Sequence, residues 1–156
     1  MLLADVLRWT HVLGATVLIG TGAGIAFFML MAHRTRDPKL IAHTASVVVI
    51  ADWIFTASAV IIQPITGAWL AYLMGWPLLS GWVLVSIILY VIIGGFWLPV
   101  VWMQSKMRDL ARSAAASGEA LPDRYDQLFR LWVLCGIPAF SAILVILWLM
   151  LMRPTI

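Results

Sequence analysis

Charge is what this sequence has least of. Only 11% of its 156 residues are Asp, Glu, Lys or Arg, against about 25% in soluble domains. With 63% hydrophobic side chains and a mean hydropathy of +1.02, the chain cannot cover itself with a water-soluble surface. Cysteine is nearly absent as well. Cys135 stands alone, which excludes an internal disulfide and a thiolate metal cluster. The 10 Lys and Arg sit at the ends of apolar runs, where they face lipid head groups. The pI near 9.5 therefore points to membrane orientation and away from nucleic acid. No cleaved leader is expected, because Asp5 spoils a basic n-region and the first apolar run exceeds an h-region of about 7–15 residues. The chain also lacks internal repeats, Gly/Ser linkers and low-complexity tracts.

What is present is four long apolar runs, predicted as helices over residues 3–32, 41–73, 82–116 and 125–152. About twenty apolar residues in a helix span roughly 30 Å of hydrocarbon. Lipid offers the backbone no partners, so each run must satisfy its own hydrogen bonds as a helix. The expected fold class is all-α, one four-helix transmembrane bundle over residues 1–156. The second run is long for one crossing, which predicts tilt or a kink at Pro64, whose ring removes a hydrogen bond to Val60. The third helix is expected to extend beyond the membrane through Ala116 and stop at Gly118, and Pro122 and Asp123 to start the fourth. The first and third connections hold most of the basic residues, which places them in the cytoplasm and both termini outside. Trp69, Tyr72, Trp76 and Trp82 gather near the outer boundary, as an interfacial aromatic belt does.

Helical spacing sorts the intramembrane polar residues into faces. In the first helix His11, Gly14, Ala15, Leu18, Gly22 and Ala26 form a small-residue seam headed by a histidine. In the second, Asp52, Thr56, Ala59, Gln63 and Thr66 form a stripe. The third contributes Ser86, Tyr90 and Gly94, and the fourth Gly136 and Ser141. All are expected to point inward. At about 1.5 Å per residue, His11, Gln63 and Tyr90 lie about 12–15 Å below the outer ends of their helices and can share one layer. Asp52 falls near the midplane. His33 and His43 sit at the opposite end and cannot join His11. A histidine at that depth is expensive unless something binds it. Two readings stay open: His11 ligates haem or a metal, with Gly14, Gln63 and Tyr90 around it, or the same residues only hold helices together in a cofactor-free packing or accessory subunit. An interhelical hydrogen bond contributes roughly 0.6 kcal/mol in the second reading. For Asp52 the alternatives are a step on a proton path and a hydrogen-bonded carboxyl locking the second helix. Gly20-Thr21-Gly22-Ala23-Gly24 follows no strand and reads as a packing seam rather than a nucleotide loop. Cys135 reads as a small core residue and the methionines as mostly lipid-facing filler, although methionine can also ligate haem or copper.

Arg8-Trp9-Thr10-His11 opens the first helix, His33 closes it, and Thr66-Gly67-Ala68-Trp69-Leu70 closes the second. Ser80-Gly81-Trp82 opens the third, followed by Leu89-Tyr90 and then Lys106-Met107-Arg108-Asp109-Leu110-Ala111. Phe129-Arg130, Pro138 and Arg153-Pro154 mark the fourth. In this order and spacing the sequence resembles, over nearly its whole length, a bacterial family of four-span integral membrane proteins, a domain of unknown function. That family is itself similar to HemJ-type protoporphyrinogen oxidases and CopD-like membrane domains. The resemblance implies b-type haem with His11 as an axial ligand and a redox role in the bacterial inner membrane, with quinone or another membrane redox protein as electron partner. Its enzymatic form would be a haem-dependent membrane oxidoreductase. The chain departs from the HemJ-type pattern at Ser86, where those enzymes carry lysine, at Leu84 and Val91, where they carry histidine, at Phe27 in place of arginine, and at Cys135-Gly136 in place of Asn-Glu. Groups that would grip porphyrin propionates or move protons are mostly missing, so the implication stops short of protoporphyrinogen oxidation. Copper or other ion handling in the CopD manner rests on fold-level analogy alone. The small-residue faces suit a homodimer as well as an internal seam.

Overall fold

The structure, a computed structural model, describes residues 2–155. It contains α1 (Leu2–Thr35), α2 (Pro38–Ala51), a π-helical turn (Asp52–Thr56), α3 (Ala57–Met74), α4 (Gly81–Ser117) and α5 (Asp123–Met152), with no strand among the described residues. α2, the π turn and α3 form one continuous rod. The chain therefore has four helical rods long and apolar enough to cross a membrane. Their ends follow from local chemistry. Asp37 accepts a hydrogen bond from the Lys39 amide at 2.8 Å, and Pro38 presets the first turn of α2. Gly75 and Gly118 close α3 and α4 in the left-handed region, at φ 69° and 73°, where a side chain would be strained. α4 runs on through Ser117 and stops at Gly118, the residue expected to end it. Four crossings bring both termini to one end, the terminal end. The first and third connections share the other, arginine-rich end.

The two halves of the bundle pack differently. The contiguous core comprises Ile25, Met29 and Ala32 of α1, Ile41, Ala42, Ala45 and Val48 of α2, Met103, Met107 and Ala111 of α4, and Tyr125, Leu128, Phe129 and Trp132 of α5. All of these lie toward the arginine-rich end. In the terminal half α3 packs on α1 and α4 packs on α5, and α3 approaches α4 and α5 little. Outward-facing residues such as Trp53, Ile61 and Val91 are more than 60% exposed, because lipid is the solvent there.

The second rod carries the predicted stripe intact: Asp52, Thr56, Ala59, Gln63 and Thr66 are all buried, as is Ser86 of α4. Two expected inward residues are not. Ala26 is exposed, while Ile25 and Met29 are buried instead. Successive four-residue steps each overshoot a 3.6-residue turn by about 40°, so a seam extrapolated from Leu18 to Gly22 to Ala26 rotates off the packing face. Ser141 is exposed too, because the face α5 buries in the core is that of Tyr125, Leu128, Phe129 and Trp132.

Pro64 does not interrupt α3. The Val60 carbonyl, which would accept from the amide that Pro64 lacks, receives the Tyr90 hydroxyl from α4 at 2.6 Å. The departure from α geometry lies instead at Asp52–Thr56, where the Ala57 amide reaches back five residues to the Asp52 carbonyl. At the arginine-rich end, Arg36 grips Asp126 with two hydrogen bonds of 2.5 and 2.9 Å, tying the first connection to the first turn of α5. The Arg36 guanidinium holds the Asp126 carboxyl below its ordinary value.

Two outcomes follow for thermal unfolding in detergent. Tyr90→Phe destabilises by about 1 kcal/mol, since a carbonyl in lipid loses its partner. In a Pro64→Ala background the restored amide takes that carbonyl and the cost of Tyr90→Phe shrinks; equal costs in both backgrounds would refute the assignment. The Arg36–Asp126 contribution is present above the ordinary carboxylate value of 3.8 and lost as pH falls through the depressed one. Asp126→Asn should therefore cost under about 1 kcal/mol at neutral pH, and the difference from the unaltered chain should vanish in strong acid.

Candidate functional site

His11 and the stripe of α3 meet because the rods run antiparallel. His11 is nine residues in from Leu2, and Thr66 eight residues in from Met74. Both therefore lie about 12–14 Å from the terminal end of their helices. The His11 Nδ1 lies 2.9 Å from Thr66 Oγ1. The single proton of the Thr66 hydroxyl is already donated to the Ile62 carbonyl at 2.8 Å, with the Gln63 carbonyl at 3.2 Å. With its proton so used, Thr66 Oγ1 accepts from His11, an assignment that puts the ring proton on Nδ1 and the lone pair on Nε2. One residue of α3 thus fixes both the tautomer and the orientation of the imidazole.

Two further contacts lock the pair. Gln63 Nε2 donates to the His11 carbonyl at 2.9 Å, so α3 holds the histidine by its backbone as well as its ring. Gly67 makes room for the imidazole: a Cβ there would meet His11 Cε1 at 2.9 Å, closer than real Cβ contacts come. Gly14 does the same for Gln63, whose Nε2 would lie 3.1 Å from an added Cβ. Glycine pairs of this kind let membrane helices approach closely. One turn from His11, Arg8 extends toward Met74 Sδ at 3.9 Å and contacts Asp5 at 3.6 Å. It lines a recess of about 490 Å³ with Leu3, Ala4, Leu73 and Met74.

Of the residues expected around His11, the structure brings Gln63 against it and Gly14 against Gln63. Tyr90 serves Val60 one turn deeper instead. Thr66 and Gly67 are the contacts that site reasoning missed. Both follow Gln63 at the three- and four-residue steps that mark one helix face, and a histidine with a facing hydroxyl was the available signal. Asp52 belongs to another layer, eleven residues from Gln63 along the rod and about 16 Å deeper. Its carboxyl faces the side chains of Thr56, Trp97 and Gln104. His33 stacks on Phe129, with ring centroids 3.7 Å apart, and His43 is exposed at the same end. Among the described residues no group of three or more His, Cys, Asp or Glu side chains gathers in one place.

The close approach at Gly67 sets a test. Gly67→Ala forces the imidazole away from Thr66 and should destabilise the protein by about 1–3 kcal/mol. Gly14→Ala should cost less, because the end of a flexible glutamine can give way. The reverse order in detergent melting would contradict the geometry.

Comparison with protein families places the chain. Residues 5–154 match the model of a family described as predicted integral membrane protein (DUF2269), and the chain belongs to that family. No curated protein matches it. No solved structure matches it either.

Proposed function

We propose that this member of the DUF2269 family binds b-type haem through Nε2 of His11 and has a redox role in the membrane. The observation that carries the reading is the 2.9 Å contact between His11 Nδ1 and Thr66 Oγ1, which supports assigning the ring proton to Nδ1. A ligating imidazole needs one unprotonated nitrogen and a fixed ring, and a hydrogen bond from its other nitrogen supplies both. Thr66 provides that bond, Gln63 anchors the backbone, and Gly67 sets the depth of the ring. His11 Nε2 is a donor of the kind that would hold haem iron. Arg8, one turn toward the terminal end on the same helix face, would hold a propionate at the membrane boundary. Bound there, haem would supply one-electron exchange between its ferric and ferrous states. Quinone is the electron partner that suits a site reached from lipid. The arginine-rich end would face the cytoplasm of a bacterial cell, by the charge of its connections.

A second reading has its own support. The hydrogen bonds at His11 and the clearances at Gly14 and Gly67 also suffice to hold α1 against α3, as a cofactor-free accessory subunit would require.

An absorption spectrum of the detergent-purified protein, before and after dithionite, separates the two. The haem reading expects a Soret band that shifts on reduction, near-stoichiometric iron, and loss of both in His11→Ala. Thr66→Val should keep the band but weaken haem retention by roughly 10–100-fold, as loss of a ligand's hydrogen-bond partner does. Colourless protein from haem-sufficient cells, or full haem content in His11→Ala, would favour the packing role.

A further inference from the structure

In a bilayer, a helix face that no other helix covers is covered by acyl chains. On α2 and the π turn, Lys39, His43, Ser46, Ile50 and Trp53 follow one another at steps of four and three, so they share one face of the rod. That face changes character along its length. Lys39 and His43 are exposed at the arginine-rich end, whereas Ile50 and Trp53 lie deeper and are 58% and 63% exposed. α4 packs on α2 and carries the same order in reverse. Leu98 lies deep and is 66% exposed, and Arg108 and Arg112 follow at the arginine-rich end of the same face.

Arg112 marks where the two faces meet. Its Nη2 donates to Ser46 Oγ of α2 at 2.9 Å, which holds the guanidinium across the seam between the helices. Ser46 spends its own proton on the Ala42 carbonyl. No ion pair among the described residues includes Arg112 or Lys39. The acids near them in sequence are engaged elsewhere. Asp109 takes Arg108 at 2.9 Å, Asp37 takes the Lys39 amide at 2.8 Å, and Glu119 takes Ser117 at 3.2 Å. Lys39 and Ser46 are about 10 Å apart along the rod, a span that the long lysine and arginine side chains can close from either end. The seam therefore has two uncompensated cations and His43 at its mouth, with apolar walls below.

A phospholipid whose chains lie on those walls brings its headgroup to that mouth. A zwitterionic headgroup would add a further cation there, whereas an anionic one brings a phosphate alone, and arginine offers phosphate paired N–H donors. We propose that Lys39, His43 and Arg112 bind the headgroup of an anionic phospholipid, with its chains against Ile50, Trp53 and Leu98. A diffuse attraction of anionic lipid to a basic surface would draw on every lysine and arginine at this end. The seam confines the site to two of them.

The test uses the full-length protein in detergent, with lipid retention read by native mass spectrometry. The unaltered chain should retain phosphatidylglycerol well above phosphatidylcholine. Lys39→Gln with Arg112→Gln should weaken phosphatidylglycerol retention by roughly 10–30-fold, the worth of two basic side chains. Lys106→Gln with Arg124→Gln removes the same charge from exposed positions at the same end but off the seam, and should leave retention nearly unchanged. Equal retention of the two lipids by the unaltered chain overturns the proposal, as do equal losses in the two double variants. Phosphatidylglycerol should also raise Tm saturably. An equal rise with inorganic phosphate would assign the cations to a soluble anion and overturn the lipid site.

Discussion

Water is missing from the inside of a bilayer, and this fold is organised by that lack. A polar group in hydrocarbon must find its partner in the chain or remain costly. Most hydroxyls in the crossing helices settle on their own backbone. Pro64 creates a debt at Val60 that only another helix can meet, and Tyr90 meets it. This is the one hydrogen bond joining α3 to α4 among the described residues. After this accounting two groups of side chains remain. One is the histidine seam between α1 and α3. The other is the set around Asp52, where the partners needed are not all supplied.

The uneven packing of the bundle separates those two groups. Interlocked methionine, tyrosine and tryptophan side chains close the arginine-rich half, where every rod contributes to one core. The Asp52 layer sits at the inner edge of that half, so its polar groups are sealed from lipid and water alike. The terminal half consists of two helix pairs, α1 with α3 and α4 with α5. His11 lies in the first pair and is only part-buried. The distinction rests on packing density and not on which residue types are present.

Much of this was legible in the sequence, and the reasons are specific. Length and apolarity gave four crossings, since nothing else in lipid satisfies a backbone. Gly118 marked the end of α4 because a left-handed residue there needs no Cβ. The Asp52 to Thr66 stripe was readable because its polar residues have no alternative to facing inward. The position of Ala26 was not, because a seam extended by fixed steps ignores the drift of a 3.6-residue helix. Tyr90 was expected in the layer of His11 and instead serves Val60, one turn deeper. Depth follows from counting residues, whereas the neighbour depends on which carbonyl a proline elsewhere has freed. The π turn left no trace in composition at all. It shows only in hydrogen-bond register, where the Ala57 amide reaches the Asp52 carbonyl.

The Tyr90 bond also bears on how the two halves communicate. The arginine-rich core fixes the lower parts of all four rods, so α3 can shift against α4 only by swinging about the region of the π turn. Tyr90 holds α3 a short distance above that turn, at the carbonyl where the helix is weakest. Above this point α3 is held by α1 through Thr66 and Gln63. Any movement that parts the two helix pairs must therefore break the Tyr90–Val60 bond or bend α3 at Pro64. Both lie between the Asp52 layer and His11. A change in the spacing of the pairs at His11 would place its strain on the segment that carries Thr56. Coupling between the two layers thus needs no chain of contacts through the core, only the stiffness of one helix with a pinned proline.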